Sequence, residues 1–109
     1  MTFDEYALKA RATAAYPHAA TLLYPVLKLA GEAGEVAEKL GKLMRDEGWT
    51  PASPLTTDQR DALALELGDV LWYVAAVAHD LGLPLEEIAG RNVAKLADRQ
   101  QSLIILAII

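Results

Sequence analysis

The chain has 109 residues, 53 % of them apolar and 23 % charged, which is enough for one core and leaves helix faces that seek burial in an oligomer. A net charge of −5 with scattered basic residues excludes the electrostatic footprint of a protein that binds polymeric DNA or RNA. The absence of cysteine excludes a disulfide framework or thiolate nucleophile, and with no leader-like start and no apolar run of the roughly 20 residues that span a bilayer, a cytoplasmic protein off the membrane is expected.

Thr2-Phe3-Asp4-Glu5 has the form of a capping box, and Phe3, Tyr6, Ala7, Ala10 and Ala14 follow at helical spacing until Pro17, so a first helix is expected there. Pro25 suits the first turn of a second helix, whose apolar stripe reads Val26, Leu29, Ala33, Val36, Leu40 and Leu43 before Gly48. Gly48 to Pro54 has two prolines and no period, and reads as a loop. Another capping box, Thr56 to Gln59, opens a third helix in which Leu63, Leu67, Val70, Val74, Val77 and Leu81 alternate four and three apart as a packing seam. Gly82 ends it, and Pro84 opens a fourth helix that runs through Asn92, Lys95 and Arg99. No strand pattern is visible, so the expected architecture is all-α, a four-helix-bundle-like single domain over residues 1–109. Its last stretch, Ser102 to Ile109 (S-L-I-I-L-A-I-I), is atypical: uncharged and β-prone, it is expected either to be buried against a partner subunit or to be an altered or truncated natural C-terminus.

Two pairs of acidic residues carry the chemistry. Glu66 and Asp69, spaced i, i+3, are the only charges between Ala62 and Ala78, and like charges on one face of so apolar a helix ask for a cation. On a helical wheel they lie roughly 60° and 120° from the Leu63-to-Leu81 seam, on the flank of the core. Glu32 and Glu35 repeat the spacing beside the stripe of the second helix, so side-by-side packing brings four carboxylates into one pocket. The plainer alternative for this first pair is ordinary ion pairing, Lys28 with Glu32 and Lys39 with Glu35, each four residues apart. Glu66 and Asp69 have no basic residue three or four positions away. Oxygen ligands, with just His18 and His79 as imidazoles, favour a hard cation, Mg²⁺ or Mn²⁺, over zinc. Mg²⁺ keeps waters and shares substrate phosphates, which makes a nucleotide the natural partner. On the fourth helix Asn92, Lys95 and Arg99 fall within about 60° of one another, a polar edge suited to phosphate oxygens. Trp72, Tyr73, Tyr24 and Trp49 are candidates to stack on a base, core or rim packing being the alternative for each.

The stretches Y-P-V-L-K-L-A-G-E-A-G-E-V-A-E-K-L, E-L-G-D-V-L-W-Y and R-N-V-A-K-L-A-D-R together resemble the MazG-type nucleoside triphosphate pyrophosphohydrolases of the all-α superfamily, over nearly the whole chain through Arg99. The resemblance implies Mg²⁺-dependent hydrolysis of an NTP or dNTP to the monophosphate and pyrophosphate by metal-activated water, with Mn²⁺ as a substitute. It implies Glu32, Glu35, Glu66 and Asp69 as metal ligands and catalytic residues, with Asn92, Lys95 and Arg99 contacting nucleotide or phosphate. It also implies a homodimer or homotetramer. Two other outcomes stay open: a non-catalytic helical interaction module, and a dUTP- or phosphoribosyl-ATP-specific enzyme of the same superfamily. A di-iron carboxylate bundle wants paired Glu-x-x-His motifs, and neither His18 nor His79 has a glutamate three residues before it.

Overall fold

A computed structural model describes residues 1–108 and is all-helical: α1 (Phe3–Arg11), a 3₁₀ turn (His18–Ala20), α2 (Leu23–Glu47), α3 (Thr57–Asp80) and α4 (Leu85–Ile108). Both expected capping boxes form. The Glu5 amide donates to Thr2 Oγ1 at 3.1 Å while the Thr2 amide donates to Glu5 Oε2 at 3.2 Å. Gln59 and Thr56 exchange the same two bonds at 3.1 and 2.9 Å, satisfying orphan donors at the start of α3. Pro25 is the third residue of α2, where its missing N–H is one that has no intrahelical acceptor, and its ring is fully buried. At the other end Gly48 takes a left-handed φ of 68°, and the amides of Gly48 and Trp49 turn back on the Leu43 carbonyl.

Three expectations need correction. The first helix stops at Arg11 rather than running towards Pro17; the Thr13 hydroxyl donates to the Ala10 carbonyl at 2.7 Å, a side-chain bond that competes with helix continuation. The α3 seam is not the most buried line of that helix: Leu67 and Leu81 are exposed, whereas Ala75, Ala76 and Ala78 are buried. Because α1 packs on the second half of α3, alanines there let the backbones approach closely, and the core gathers Ala75, Ala78 and Leu85 with Tyr6, Ala7, Val74 and Ile88 around them. Finally, the apolar tail continues α4 as helix through Ile108, with no glycine or proline after Gly90 to stop it; Ile109 lies outside the described residues.

The longest interface is α2 along α3, while α1 packs against both α3 and the start of α4. Beyond Gly90 every described residue of α4 is exposed, so this helix leaves the other three. A radius of gyration of 17.9 Å, against roughly 13 Å for a compact chain of about 100 residues, reflects that projection. By length and composition alone α3 is long and apolar enough to cross a membrane, although two charges interrupt its apolar run. It is, however, the helix on which α1 and α2 both pack, and it carries Glu66 and Asp69.

Candidate active site

Side-by-side packing of α2 and α3 brings Glu32 from the first acidic pair to Glu66 and Asp69 of the second, with one carboxylate oxygen from each lying within 4.8 Å of the others. Three of the four expected carboxylates therefore converge. Glu35, one turn further along α2, is exposed and stands outside that group. The arrangement follows from spacing: Glu66 and Asp69, one turn apart on α3, flank the face that receives α2, and Glu32 is the α2 carboxylate opposite them.

The ion pairing in the first pair differs from the plain alternative. Lys39 does not reach back to Glu35; its ammonium donates to Glu66 Oε1 across the helix interface at 3.1 Å, with the Glu66 side chain 21 % exposed. One like-charged member of the cluster is thus partly neutralised by a cation that comes from the other helix and not from three or four positions away on α3.

Glu32 and Asp69 also line a cavity of about 620 Å³. Tyr24 from α2, Trp72 and Tyr73 from α3, and Thr13, Ala15, Tyr16 and Pro17 from the segment between α1 and α2 complete its wall. Tyr16 stacks on Tyr24 with ring centroids 5.4 Å apart and planes inclined by 27°. Tyr24 meets Tyr73 at 6.3 Å, and Trp72 meets Tyr73 edge-on at 4.8 Å, so four aromatic rings form one continuous surface next to the acids. The Trp72 indole N–H donates to Thr13 Oγ1 at 2.8 Å, fixing the far end of that surface. Burial pushes the Tyr73 hydroxyl up to about 12, with neighbouring Tyr24 next in weight and the Glu32 and Asp69 carboxylates adding to it. The phenol consequently stays a protonated hydrogen-bond donor beside the acids at any physiological pH.

The remaining candidates lie elsewhere. Asn92, Lys95 and Arg99 are on the exposed part of α4, and no α4 residue lines the cavity. Lys95 and Arg99 instead border a surface depression with Asp98, Ser102 and Leu103 of their own helix. Trp49 is taken up by its loop, donating to the Ser53 carbonyl at 3.1 Å. Tyr16, Thr13 and Lys39 are the site residues that sequence reasoning missed. Nothing in the local pattern of A-R-A-T-A-A-Y-P marks its tyrosine, which arrives at the cavity only because α1 stops early.

The donor set suits a hard divalent cation. All three converging ligands are carboxylates drawn from two helices, and no histidine is among them, which matches Mg²⁺ or Mn²⁺ rather than a softer metal.

A family model described as the MazG nucleotide pyrophosphohydrolase domain matches residues 21–104, a span that contains both acidic pairs, Tyr24, Trp72 and Tyr73. The chain is 41 % identical over 106 residues to "Gene 37 protein" of Mycobacterium phage L5, an alignment covering 92 % of this chain and 90 % of that protein. No solved structure matches. With a match across most of its length, an all-helical fold and acids from both motif pairs in contact range, the chain belongs to the MazG nucleotide pyrophosphohydrolase domain family.

Proposed function

We propose that this protein hydrolyses a nucleoside triphosphate, ribo or deoxy, to the monophosphate and pyrophosphate in a Mg²⁺-dependent reaction, with Mn²⁺ able to substitute. One observation carries the reading: Glu32, Glu66 and Asp69 come together at the edge of an aromatic-lined cavity, acids for the metal-bound phosphates beside rings for the base. In this reading the three carboxylates hold the divalent ion, and Glu35, on the same side of α2, completes the ligand set by a change of rotamer. When bound, the cation neutralises triphosphate charge and activates the attacking water. Water adds to the α phosphorus, the bond to the α–β bridging oxygen breaks, pyrophosphate leaves with that electron pair, and the water's proton passes to a carboxylate or to solvent. Trp72 and Tyr73, with Tyr24 and Tyr16, stack against the base, an interaction that tolerates different bases because every base has a π-face. Asn92, Lys95 and Arg99 contact phosphate from a neighbouring copy of the chain, in a homodimer or homotetramer. Large apolar side chains left in solvent, among them Leu27, Leu65, Leu67 and Leu103, support such an assembly.

A panel of NTPs and dNTPs with Mg²⁺, scored for pyrophosphate against orthophosphate, tests the reaction, the bond broken and the base preference together. Pyrophosphate from at least one nucleotide, lost in chelator, is expected. Pyrophosphate from none of them, dUTP and phosphoribosyl-ATP included, overturns the proposal.

A further inference from the structure

Asp80, the last residue of α3, is not a wall residue of the cavity, yet its side chain is only 3 % exposed. Its Oδ2 accepts a hydrogen bond from the Tyr16 hydroxyl at 2.9 Å and another from the Leu22 amide at 2.8 Å. Arg11 closes the cluster: its Nη1 donates to the Tyr16 hydroxyl oxygen at 2.9 Å, lies 3.8 Å from Asp80 Oδ1, and its guanidinium carbon sits 5.4 Å from the Tyr16 ring centre. The Leu22 contact falls on strained backbone. Leu22 has φ 67° and ψ −48°, and the Leu23 amide donates to the Thr21 carbonyl at 2.8 Å, the geometry of the rare γ-turn that β-carbon-bearing residues avoid. The turn sets the entry of α2 two residues before Tyr24, and Tyr24 is the ring on which Tyr16 stacks.

We infer that Asp80 is a positioning residue for the nucleotide site, holding Tyr16 from one side and the Leu22 turn from the other so that the Tyr16–Tyr24 part of the aromatic wall faces the carboxylates. A buried carboxylate is retained at a cost unless it has partners, and here one bond holds a ring that lines the cavity and the other holds the turn two residues before a second such ring. The acids are brought together by the α2–α3 interface, and none of them bonds to a member of this cluster. Loosening it therefore weakens the grip on the base without touching the groups that handle the phosphates, and binding lost equally from ground and transition states raises KM while leaving kcat. This inference rests on the reading of the cavity as a nucleotide site.

The test compares Tyr16→Phe, Asp80→Ala and Asp80→Asn with the wild-type protein on its best nucleoside triphosphate, and measures inorganic triphosphate as a competitive inhibitor in each. Inorganic triphosphate has the phosphates and no base. Tyr16→Phe and Asp80→Ala are expected to raise KM about tenfold with kcat within about twofold, the effect of one or two lost positioning hydrogen bonds. The inhibition constant of inorganic triphosphate should not move. Asp80→Asn keeps one oxygen for both bonds but turns its NH2 towards Arg11 and loses the ion pair, so its KM should fall between those of wild type and Asp80→Ala. An unchanged KM in Tyr16→Phe, or kcat and the triphosphate constant shifting as much as KM, overturns the inference. Should Asp80→Ala fail to fold, the near-isosteric Tyr16→Phe decides alone. A wild-type protein that releases no pyrophosphate sinks the reading of the site itself, whereas normal turnover with an unaffected KM in the variants sinks only the role of Asp80.

Discussion

Asp69→Asn separates a metal-ligand role from a structural one by its effect on stability in the two metal states. Asp69 is an exposed carboxylate within 4.8 Å of two others and accepts no hydrogen bond among the described residues. Two unit charges at that distance repel by about 1 kcal/mol at the dielectric of water and by about 3 kcal/mol at an effective value near 20; exposure puts Asp69 towards the smaller figure. Removing its charge should then raise the melting temperature in chelator by several degrees, since about 1 kcal/mol is worth roughly 4 °C or more in a domain of this size. Magnesium should reverse the order. A ligand at about 100 times its dissociation constant stabilises the folded state by about 2.7 kcal/mol, and the variant is expected to forfeit most of that increment along with turnover. Thermal melts of both proteins in chelator and in excess Mg²⁺, with pyrophosphate release measured alongside, give the four values needed. A variant that melts below wild type in chelator and keeps the full magnesium increment would show that the carboxylate serves the fold and not a cation.

Three further outcomes follow from the same geometry. Lys39→Met keeps the aliphatic stem and removes the ammonium that occupies Glu66 Oε1, so the metal-free protein should lose some stability while Mn²⁺ affinity by calorimetry rises, roughly up to fivefold; weaker Mn²⁺ binding would mean that Lys39 supports the site rather than competing in it. Gly41 lies in mid-α2 where an added Cβ meets nothing within 4 Å, so Gly41→Ala should stabilise the protein by about 0.5–1 kcal/mol in urea unfolding, and a loss instead would reveal a neighbour pressed against that face. The Tyr73 phenol, raised by burial to about 12, is protonated in the folded state after the unfolded chain has begun to ionise near pH 10. Its contribution to stability is therefore full below about pH 10 and lost as pH climbs towards its folded value, and melts in that alkaline range should fall less steeply for Tyr73→Phe than for wild type.

What the sequence made legible was what is written in spacing. Capping boxes at Thr2 and Thr56, the left-handed Gly48 and the early Pro25 are local instructions, and each is found where its residues point. The i, i+3 acids were legible for the same reason, and the expectation that two helices would bring them together is met for Glu32, Glu66 and Asp69. Long-range partners were not legible. Lys39 looks like the mate of Glu35 on its own helix and instead crosses to Glu66, because a helix pair puts the opposite face closer than the next turn. Tyr16 and Asp80 are 64 residues apart and meet through a turn at Leu22 that no residue type announces, leucine being a poor choice for positive φ. The alanine face of α3 was missed because a stripe of large apolar residues draws the eye, although alanines mark where another backbone comes nearest.

The position of α4 leads to a prediction about assembly. Two of its basic residues, Lys95 and Arg99, sit on an exposed stretch that also bares Val93, Leu96 and Leu103, and no residue of that helix lines the cavity holding Glu32 and Asp69. Within one chain, then, the acids and the α4 cations do not share a cavity, and a helix that exposes both apolar and basic side chains is suited to pack across a two-fold axis onto a second copy. If a neighbour's α4 supplies the phosphate contacts, Asp69→Asn and Lys95→Ala damage different halves of one composite site. Each variant alone should be nearly inactive, yet co-expression lets half the dimers pair one of each, and such a dimer carries one site with both parts intact, so about a quarter of wild-type activity should return. Activity in the mixed preparation no greater than the mean of the two separate variants would mean that α4 does not reach a partner's carboxylates, and that phosphate is met by residues of the cavity's own chain.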